Sequence, residues 1–112
     1  MKLVTAIIKP ERLDSVKEEL KTAGVGGMTI TEVKGFGVQG GSVEMWRGSE
    51  YVADQIPKTE IRIVVDDELL GRAVAAILHS ARTGSIGDGK IWVTEVQNVI
   101  RIRTGEEDSA AL

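Results

Sequence analysis

The residues best suited to chemistry lie in a short glycine-rich segment, TGSIGDGK, at residues 83–90. Gly87 and Gly89 allow successive backbone N–H groups to converge on one point, and Lys90 adds a cation beside them. This arrangement can bind phosphate. It is not a P-loop, because Ile91 replaces the required Ser or Thr and a helix precedes the loop instead of following it. The alternative interpretation is a tight helix-to-strand turn that ends in a solvated lysine.

A pair of arginines forms the second candidate, in the segment VIRIRTG at residues 99–105. If this segment is a strand, Arg101 and Arg103 lie on one face, about 7 Å apart. Two guanidinium groups at that spacing can hold a polyphosphate through charge-assisted hydrogen bonds. The alternative is an edge strand whose charged face protects the sheet against aggregation.

The third candidate is the long segment GFGVQGGSVEMWRGSEYVADQIPK at residues 35–58. Its glycines allow a ligand to approach the backbone, and Gln39 offers a neutral oxygen for Mg²⁺ held by phosphates. A loop this long is usually functional or disordered, and Trp46 and Tyr51 favour an interface. The alternative is an extended β-hairpin that pairs four apolar residues: Val43, Met45, Tyr51 and Val52.

Composition narrows the possible functions. The chain has 112 residues, a net charge of −3, no cysteine and one histidine. The charge disfavours nucleic-acid binding, and the missing cysteines exclude disulfides and thiolate chemistry. One histidine makes a histidine metal site or a Ser-His pair improbable, and no carboxylate pair is placed for acid–base catalysis. No apolar run suits a signal peptide or a membrane span, so we expect a cytoplasmic protein without a catalytic site.

Apolar periodicity predicts the element order β-α-β-loop-β-α-β. The predicted strands are residues 3–8, 28–33, 61–65 and 91–93, continuing to 99–103. The first helix begins at Pro10 and ends at Gly24, and Asp66 and Asp67 are expected to cap the second. Two βαβ units of similar size predict an α+β, ferredoxin-like βαββαβ sandwich. Both helices then cover one face of the sheet, so self-association is expected to cover the other.

Four segments resemble the PII signal transduction proteins of nitrogen regulation, and the resemblance covers essentially the whole chain. They are GMTITEVKGFG at 27–37, RGSEY at 47–51, ARTGSIGDGKIWV at 81–93 and VIRIRTGEEDSAAL at 99–112. The resemblance implies a single PII domain over residues 1–112 and a homotrimer of ferredoxin-like subunits. It also implies a T-loop between strands 2 and 3 at about 37–55, a glycine-rich loop at about 82–90 and a C-terminal tail at 104–112.

The resemblance further implies that ATP and ADP compete for clefts between subunits. One subunit contributes the first group of nucleotide-binding residues: Thr29, Gly37, Val64, Gly87, Asp88, Gly89 and Lys90. Arg101 and Arg103 reach the phosphates from its neighbour. Mg²⁺-ATP creates the site for 2-oxoglutarate, in which Gln39 ligates the metal. The backbone near Gly37 and Gly41 contacts the oxoacid, and Lys58 pairs with its distal carboxylate.

By the same resemblance, the T-loop inserts into partner proteins. Tyr51 is a candidate for nucleotidylation and Ser49 for phosphorylation. The implied function is a nitrogen regulatory signal transducer, not an enzyme, that neither binds nucleic acid nor inserts into a membrane. Expected partners are an ammonium channel, a nucleotidyltransferase, a kinase or biosynthetic enzymes. The alternatives are a PII-like module with another small-molecule effector and a weak nucleotide hydrolase.

The chain also departs from the family pattern. Relatives often read Arg-Gln-Lys-Gly at positions 38–41, whereas this chain has Val38 and Gly40 around Gln39. A charge pair is also exchanged, since Glu60 and Arg62 stand where many relatives have a basic residue and then a glutamate that contacts adenine or ribose. Trp46 replaces a frequent tyrosine. These differences are expected to tune nucleotide affinity and partner choice.

Overall fold

A four-stranded antiparallel sheet with both helices on one face forms the body of the computed structural model, which describes residues 1–38, 45–46, 49–50 and 52–112. The strands are β1 (Lys2–Ile8), β2 (Thr29–Val38), β3 (Met45–Trp46), β4 (Ser49–Glu50), β5 (Val52–Val65) and β6 (Lys90–Glu95). The helices are α1 (Leu13–Ala23) and α2 (Asp67–Ala81). The main sheet has the order β2-β5-β1-β6, as the ferredoxin-like prediction requires. Among the described residues, no helix has the length and apolar character needed to cross a membrane.

The core lies between the sheet and the two helices. Alternate residues of β1 point toward the helices, and Val4, Ala6 and Ile8 are almost completely buried. Ile61 and Ile63 of β5 face the same way, since successive side chains of a strand lie on opposite faces. The two helices close the core with four buried residues: Val16, Leu20, Ala73 and Ile77. Each fully buried aliphatic side chain contributes about 1.5–3 kcal/mol, so this layer fixes how the sheet and helices meet.

The helix boundaries follow the predicted signals, with one correction. Pro10 opens a 3₁₀ turn that leads into α1, and Gly24 ends the helix with a left-handed φ of 106°. Asp66 occupies the N-cap position of α2, but its side chain makes no capping hydrogen bond. Its carboxylate instead accepts a hydrogen bond from Ser109 Oγ at 2.8 Å. Asp67 is also engaged elsewhere, 3.2 Å from the amino group of Met1.

The strands on either side of the long loop extend further than predicted. β2 reaches Val38 and β5 begins at Val52, so the two strands continue as a two-stranded hairpin past the end of β1. Its last described pair joins Val38 to Val52, with a register shift between Gly35 and Gly37. The hairpin interpretation is therefore confirmed for the backbone of these arms.

The individual pairs proposed for that hairpin are wrong where the structure describes them. Val52 pairs with Val38, and Met45 pairs with Glu50 in the small β3–β4 sheet. Val43 and Tyr51 lie outside the described residues. The apolar residues of the tip did not reveal its register, because backbone pairing there follows the turn geometry.

Residues 99–103 do not form the predicted strand. Ile100 makes one isolated bridge to Glu107, and residues 102–104 form a turn. Arg101 donates its N–H to the Glu106 carbonyl at 2.8 Å, which closes this turn on itself. Arg101 and Arg103 therefore do not lie side by side on one strand face. The alternation in VIRIRTG predicted two faces, but the described sheet offers this segment no neighbouring strand.

The tail is also more ordered than predicted. Its last residues form a 3₁₀ helix, Asp108–Ala111. The bond from Ser109 to Asp66 fastens that helix to the start of α2. The Arg101 side chain reaches the backbone oxygen of Leu112 at 3.1 Å. The tail is therefore packed against the body of the domain and not a loose extension.

The sheet face away from the helices is open in the described part of the chain. It mixes polar side chains with Leu3, Ile7 and Val64, which are only half-buried, and with Trp92, which is 44% exposed. This is the face that self-association was predicted to cover. A single chain leaves that prediction untested.

Candidate functional site

A cleft of about 680 Å³ opens at the end of the sheet where β1 ends and β6 begins. Three lysines reach it from three different parts of the chain: Lys9 after β1, Lys58 in β5 and Lys90 at the start of β6. Gly87 and Gly89 line its floor. We call this site the lysine cleft. It brings together five of the residues predicted from sequence: Lys58, Gly87, Asp88, Gly89 and Lys90.

The carboxylate of Asp88 holds the glycine-rich loop in shape. It accepts hydrogen bonds from Thr83 Oγ1 at 2.5 Å, from Thr83 N at 2.9 Å and from Gly84 N at 2.9 Å. Lys9 Nζ lies 3.4 Å from the same carboxylate. These donors, Thr83 above all, hold the pKa of Asp88 well below its usual range. Asp88 therefore organises the loop from within, and its predicted contact with a nucleotide stays a prediction.

Replacing this carboxylate is expected to weaken the fold in a pH-dependent way. A depressed folded-state pKa means that ionised Asp88 stabilises the fold fully above the unfolded-state value of about 3.9 and progressively less as the pH falls below it. The free energy of unfolding should therefore be lower in Asp88→Asn at pH 7, and the difference from the natural chain should shrink between about pH 4 and pH 2. Urea titrations at fixed protein concentration measure it.

The matched control is Glu32→Gln on β2, where the described structure gives the Glu32 carboxylate no ion pair or hydrogen bond. This variant should follow the natural chain across the whole pH range. A difference between Asp88→Asn and the natural chain that stays constant down to pH 2 would show that Asp88 does not stabilise the loop through its charge.

Gly87 and Gly89 both adopt left-handed backbone angles, with φ of 92° and 98°. At Gly89 an added Cβ would lie 1.7 Å from the carbonyl oxygen of Ile7, so only glycine fits there. The loop thus lies directly against the end of β1. The contact with Ile7 explains why residue 89 is glycine, and the anion binding predicted for Gly87 and Gly89 stays a prediction.

The lysine ammonium groups are partly engaged within the chain. Lys58 Nζ donates to the carbonyl oxygen of Gly87, and Lys9 Nζ donates to Thr83 Oγ1 at 3.1 Å. An ammonium group has three donors, so each lysine keeps capacity for an anion. Lys9 was not among the residues predicted from sequence. The only available signal was its position directly after β1, at the edge where antiparallel β6 begins.

Apart from Gly37, the remaining predicted nucleotide residues lie toward the opposite end of the sheet. A second cleft, of about 640 Å³, is lined by Gly27, Val64, Arg72 and Arg101, and we call it the arginine cleft. Along β5, Val64 lies six residues beyond Lys58, a separation of about 20 Å in an extended strand. Thr29 pairs with Arg62 two positions before Val64, and Arg103 is exposed in its turn. One chain therefore does not bring Thr29, Val64 or the arginines to its own lysine cleft.

Several predicted residues cannot be located. Gln39, Gly41 and Tyr51 lie outside the described residues. Gly37 pairs with Ala53, and Ser49 pairs with Trp46, but only their backbone positions are described. The predicted oxoacid and metal contacts therefore stay predictions, apart from the placement of Lys58.

The charge exchange at positions 60 and 62 has a structural outcome. Glu60 and Arg62 project from the same face of β5, and Arg62 Nη2 lies 3.1 Å from Glu60 Oε2. Arg62 stays about half-exposed on the open face of the sheet, beside Thr29 and Thr5. The exchanged residues thus neutralise one another locally.

The fold and the two clefts define a class of protein: a ferredoxin-like domain with a cationic, glycine-lined site suited to an anionic ligand. Comparison with known sequences makes this specific. The family model described as "Nitrogen regulatory protein P-II" matches residues 1–106. This chain therefore belongs to the P-II family of nitrogen regulatory proteins.

The relatives match over their full length. The chain is 56% identical to "Nitrogen regulatory protein P-II 1" of Escherichia coli (strain K12) over 112 residues, 100% of each chain. It is also 56% identical to "Nitrogen regulatory protein P-II" of Klebsiella oxytoca and 54% identical to the protein of that name from Azospirillum brasilense, again over 100% of each chain. The family resemblance found in the sequence is thereby confirmed.

Proposed function

We propose that this protein is a nitrogen regulatory signal transducer that senses ATP against ADP and 2-oxoglutarate. The observation that carries the proposal is the convergence of Lys9, Lys58 and Lys90 with the glycine-rich loop in one cleft. That cleft adjoins the hairpin formed by β2 and β5, since Gly35, Phe36 and Pro57 also line it. A ligand bound there touches the base of the segment proposed to contact partners.

In this proposal the nucleotide occupies a site shared between two copies of the chain. The phosphates lie on Gly87, Gly89 and Lys90 of one subunit and meet Arg101 and Arg103 of the next, with Gly37, Thr29 and Val64 completing the site. The distance between the lysine and arginine clefts supports this division, because the two clefts of one chain are too far apart to contact the same phosphates. A homotrimer satisfies it and covers the open sheet face.

The effector site forms once nucleotide is present. Mg²⁺ is held by the ATP phosphates and Gln39, and 2-oxoglutarate binds the metal and the backbone near Gly37 and Gly41. Lys58 supplies the cation for the distal carboxylate. Its position in the lysine cleft supports this role, because its ammonium group lies beside Gly87. Binding of nucleotide and oxoacid is then ordered.

The output of the sensor is the T-loop, at about residues 37–55. Each ligand state favours a different loop arrangement and so shifts affinity for partner proteins. Partners in this proposal are an ammonium channel, a nucleotidyltransferase or enzymes of nitrogen metabolism in the cytoplasm. Tyr51 is the proposed site of nucleotidylation, and Ser49 of phosphorylation. The protein acts through binding and not as an enzyme.

Calorimetry tests the ordered mechanism. With Mg²⁺-ATP present, 2-oxoglutarate should bind the natural chain, and without nucleotide its affinity should fall at least about tenfold because the metal is missing from the site. Lys58→Ala should abolish the oxoacid response and leave ATP binding measurable. Equal affinity for the oxoacid with and without ATP would contradict the mechanism. Steady phosphate release from ATP in the same samples would instead favour the hydrolase alternative.

A further inference from the structure

The guanidinium group of Arg101 is occupied by its own chain. Its Nη1 lies 3.1 Å from Glu106 Oε1, and its Nη2 donates to the backbone oxygen of Leu112 at 3.1 Å. Both contacts use the outer nitrogens of the guanidinium fork, the edge that binds a phosphate in a two-pronged manner. An anion arriving at the arginine cleft therefore meets a side chain that is already engaged.

Glu106 is fixed in place by its surroundings. Its Oε1 accepts a hydrogen bond from Thr104 Oγ1 at 2.8 Å, and its N–H donates to the same hydroxyl at 3.2 Å. Its carbonyl oxygen accepts the Arg101 N–H at 2.8 Å. The hydrogen bonds of the turn therefore fix the Glu106 carboxylate beside Arg101. Its negative charge stays beside the guanidinium group even when another anion approaches.

We propose that Glu106 competes with bound anions for Arg101 and so sets the affinity of the arginine half of the nucleotide site. The inference rests on the proposed function, in which Arg101 meets the phosphates bound by a neighbouring subunit. A phosphate competes with these two contacts for the N–H donors of Arg101, and it also feels repulsion from the Glu106 carboxylate. Where the phosphate takes the Nη2 donor, the contact with Leu112 is lost and the tail is held less firmly.

The test compares two neighbouring glutamates by ATP calorimetry. Glu106→Gln keeps the shape and one acceptor oxygen but removes the charge, so its affinity for ATP should rise about two- to fivefold at low salt. The matched control is Glu107→Gln, since in the described structure the Glu107 carboxylate forms no ion pair and only its backbone bridges Ile100. The gain should fade in high salt, because exposed charges are screened there.

A double variant identifies the group through which Glu106 acts. In an Arg101→Gln background, adding Glu106→Gln should give only the smaller gain that comes from removing the repulsion, because the competed guanidinium is gone. Circular dichroism and thermal unfolding of each variant confirm that the fold is retained, and a full gain in the double variant would overturn the proposal.

The outcomes separate this inference from the proposed function. If the natural chain binds no ATP, both fall. If it binds ATP and Glu106→Gln behaves like Glu107→Gln, only the inference falls. Weaker binding by Glu106→Gln would also overturn it, because that result would mean that Glu106 orients Arg101 for the ligand.

Discussion

Mixing two variants that each bind ATP weakly should restore the natural affinity at about a quarter of the binding sites. Lys90→Ala removes a cation from the lysine cleft, and Arg101→Gln removes one from the arginine cleft. Each loss should weaken ATP binding at least about tenfold, the usual effect of losing one charge-assisted hydrogen bond. In the proposed trimer, assembled at random from both variants, a shared site is intact only when the arginine variant supplies the lysine half and the lysine variant supplies the arginine half. Each condition is met half of the time.

The measurement is ATP stoichiometry after the two variants are unfolded together and refolded. The control is the same pair refolded separately and combined afterwards, which should bind no better than either variant alone while subunits do not exchange. If co-refolding restores no sites, Lys90 and Arg101 do not meet across a subunit boundary. The result would then contradict the shared site even if the natural chain binds ATP.

Gly89→Ala is expected to damage both stability and binding. Its Cβ would lie 1.7 Å from the Ile7 carbonyl oxygen, at a backbone φ of 98° that alanine rarely adopts. Strain at such a position costs about 1–3 kcal/mol, and the clash must also move the loop away from β1. The N–H groups of the loop then lose their alignment. We expect the free energy of unfolding to fall by at least about 2 kcal/mol and ATP affinity to fall at least about tenfold.

Gly71→Ala in α2 provides the matched control. A Cβ there meets no atom within 4 Å, and alanine favours a helix more than glycine does. This variant should unfold at the same or a slightly higher urea concentration and bind ATP normally. Unfolding curves and calorimetry of both variants make the comparison. Equal behaviour of the two alanine variants would show that the loop at Gly89 can relax without consequence.

The sequence predicted most of the layered body because local signals agree there. The apolar stripe of α2 and the glycine after α1 predict elements that the structure contains, and Gly24 ends its helix with the left-handed angle expected of it. The arms of β2 and β5 were underestimated. They continue past the end of β1, where β2 and β5 pair only with each other in the described part of the chain.

The candidate site was predictable by residue type and not by arrangement. Gly87, Gly89 and Lys90 stand together in sequence, so their chemistry was visible without a fold. Lys9 joins them only because β1 and β6 are antiparallel neighbours. The strand predicted at residues 99–103 was wrong, since alternation identifies two faces but says nothing about a partner strand. Contacts between distant segments decide all of these outcomes.

β5 can be considered as a lever. Half of its 14 residues, from Thr59 to Val65, pair with β1, and the other half, from Val52 to Lys58, lies beside β2 alone. Lys58 lies directly before the first residue of β5 that pairs with β1, so a ligand bound to its ammonium group acts at the base of the two-stranded arm. A tilt of about 5° there displaces the far end of the arm by about 2 Å, given a strand rise of about 3.4 Å per residue. A small movement at the lysine cleft is thus amplified into a larger movement at the far end of the arm.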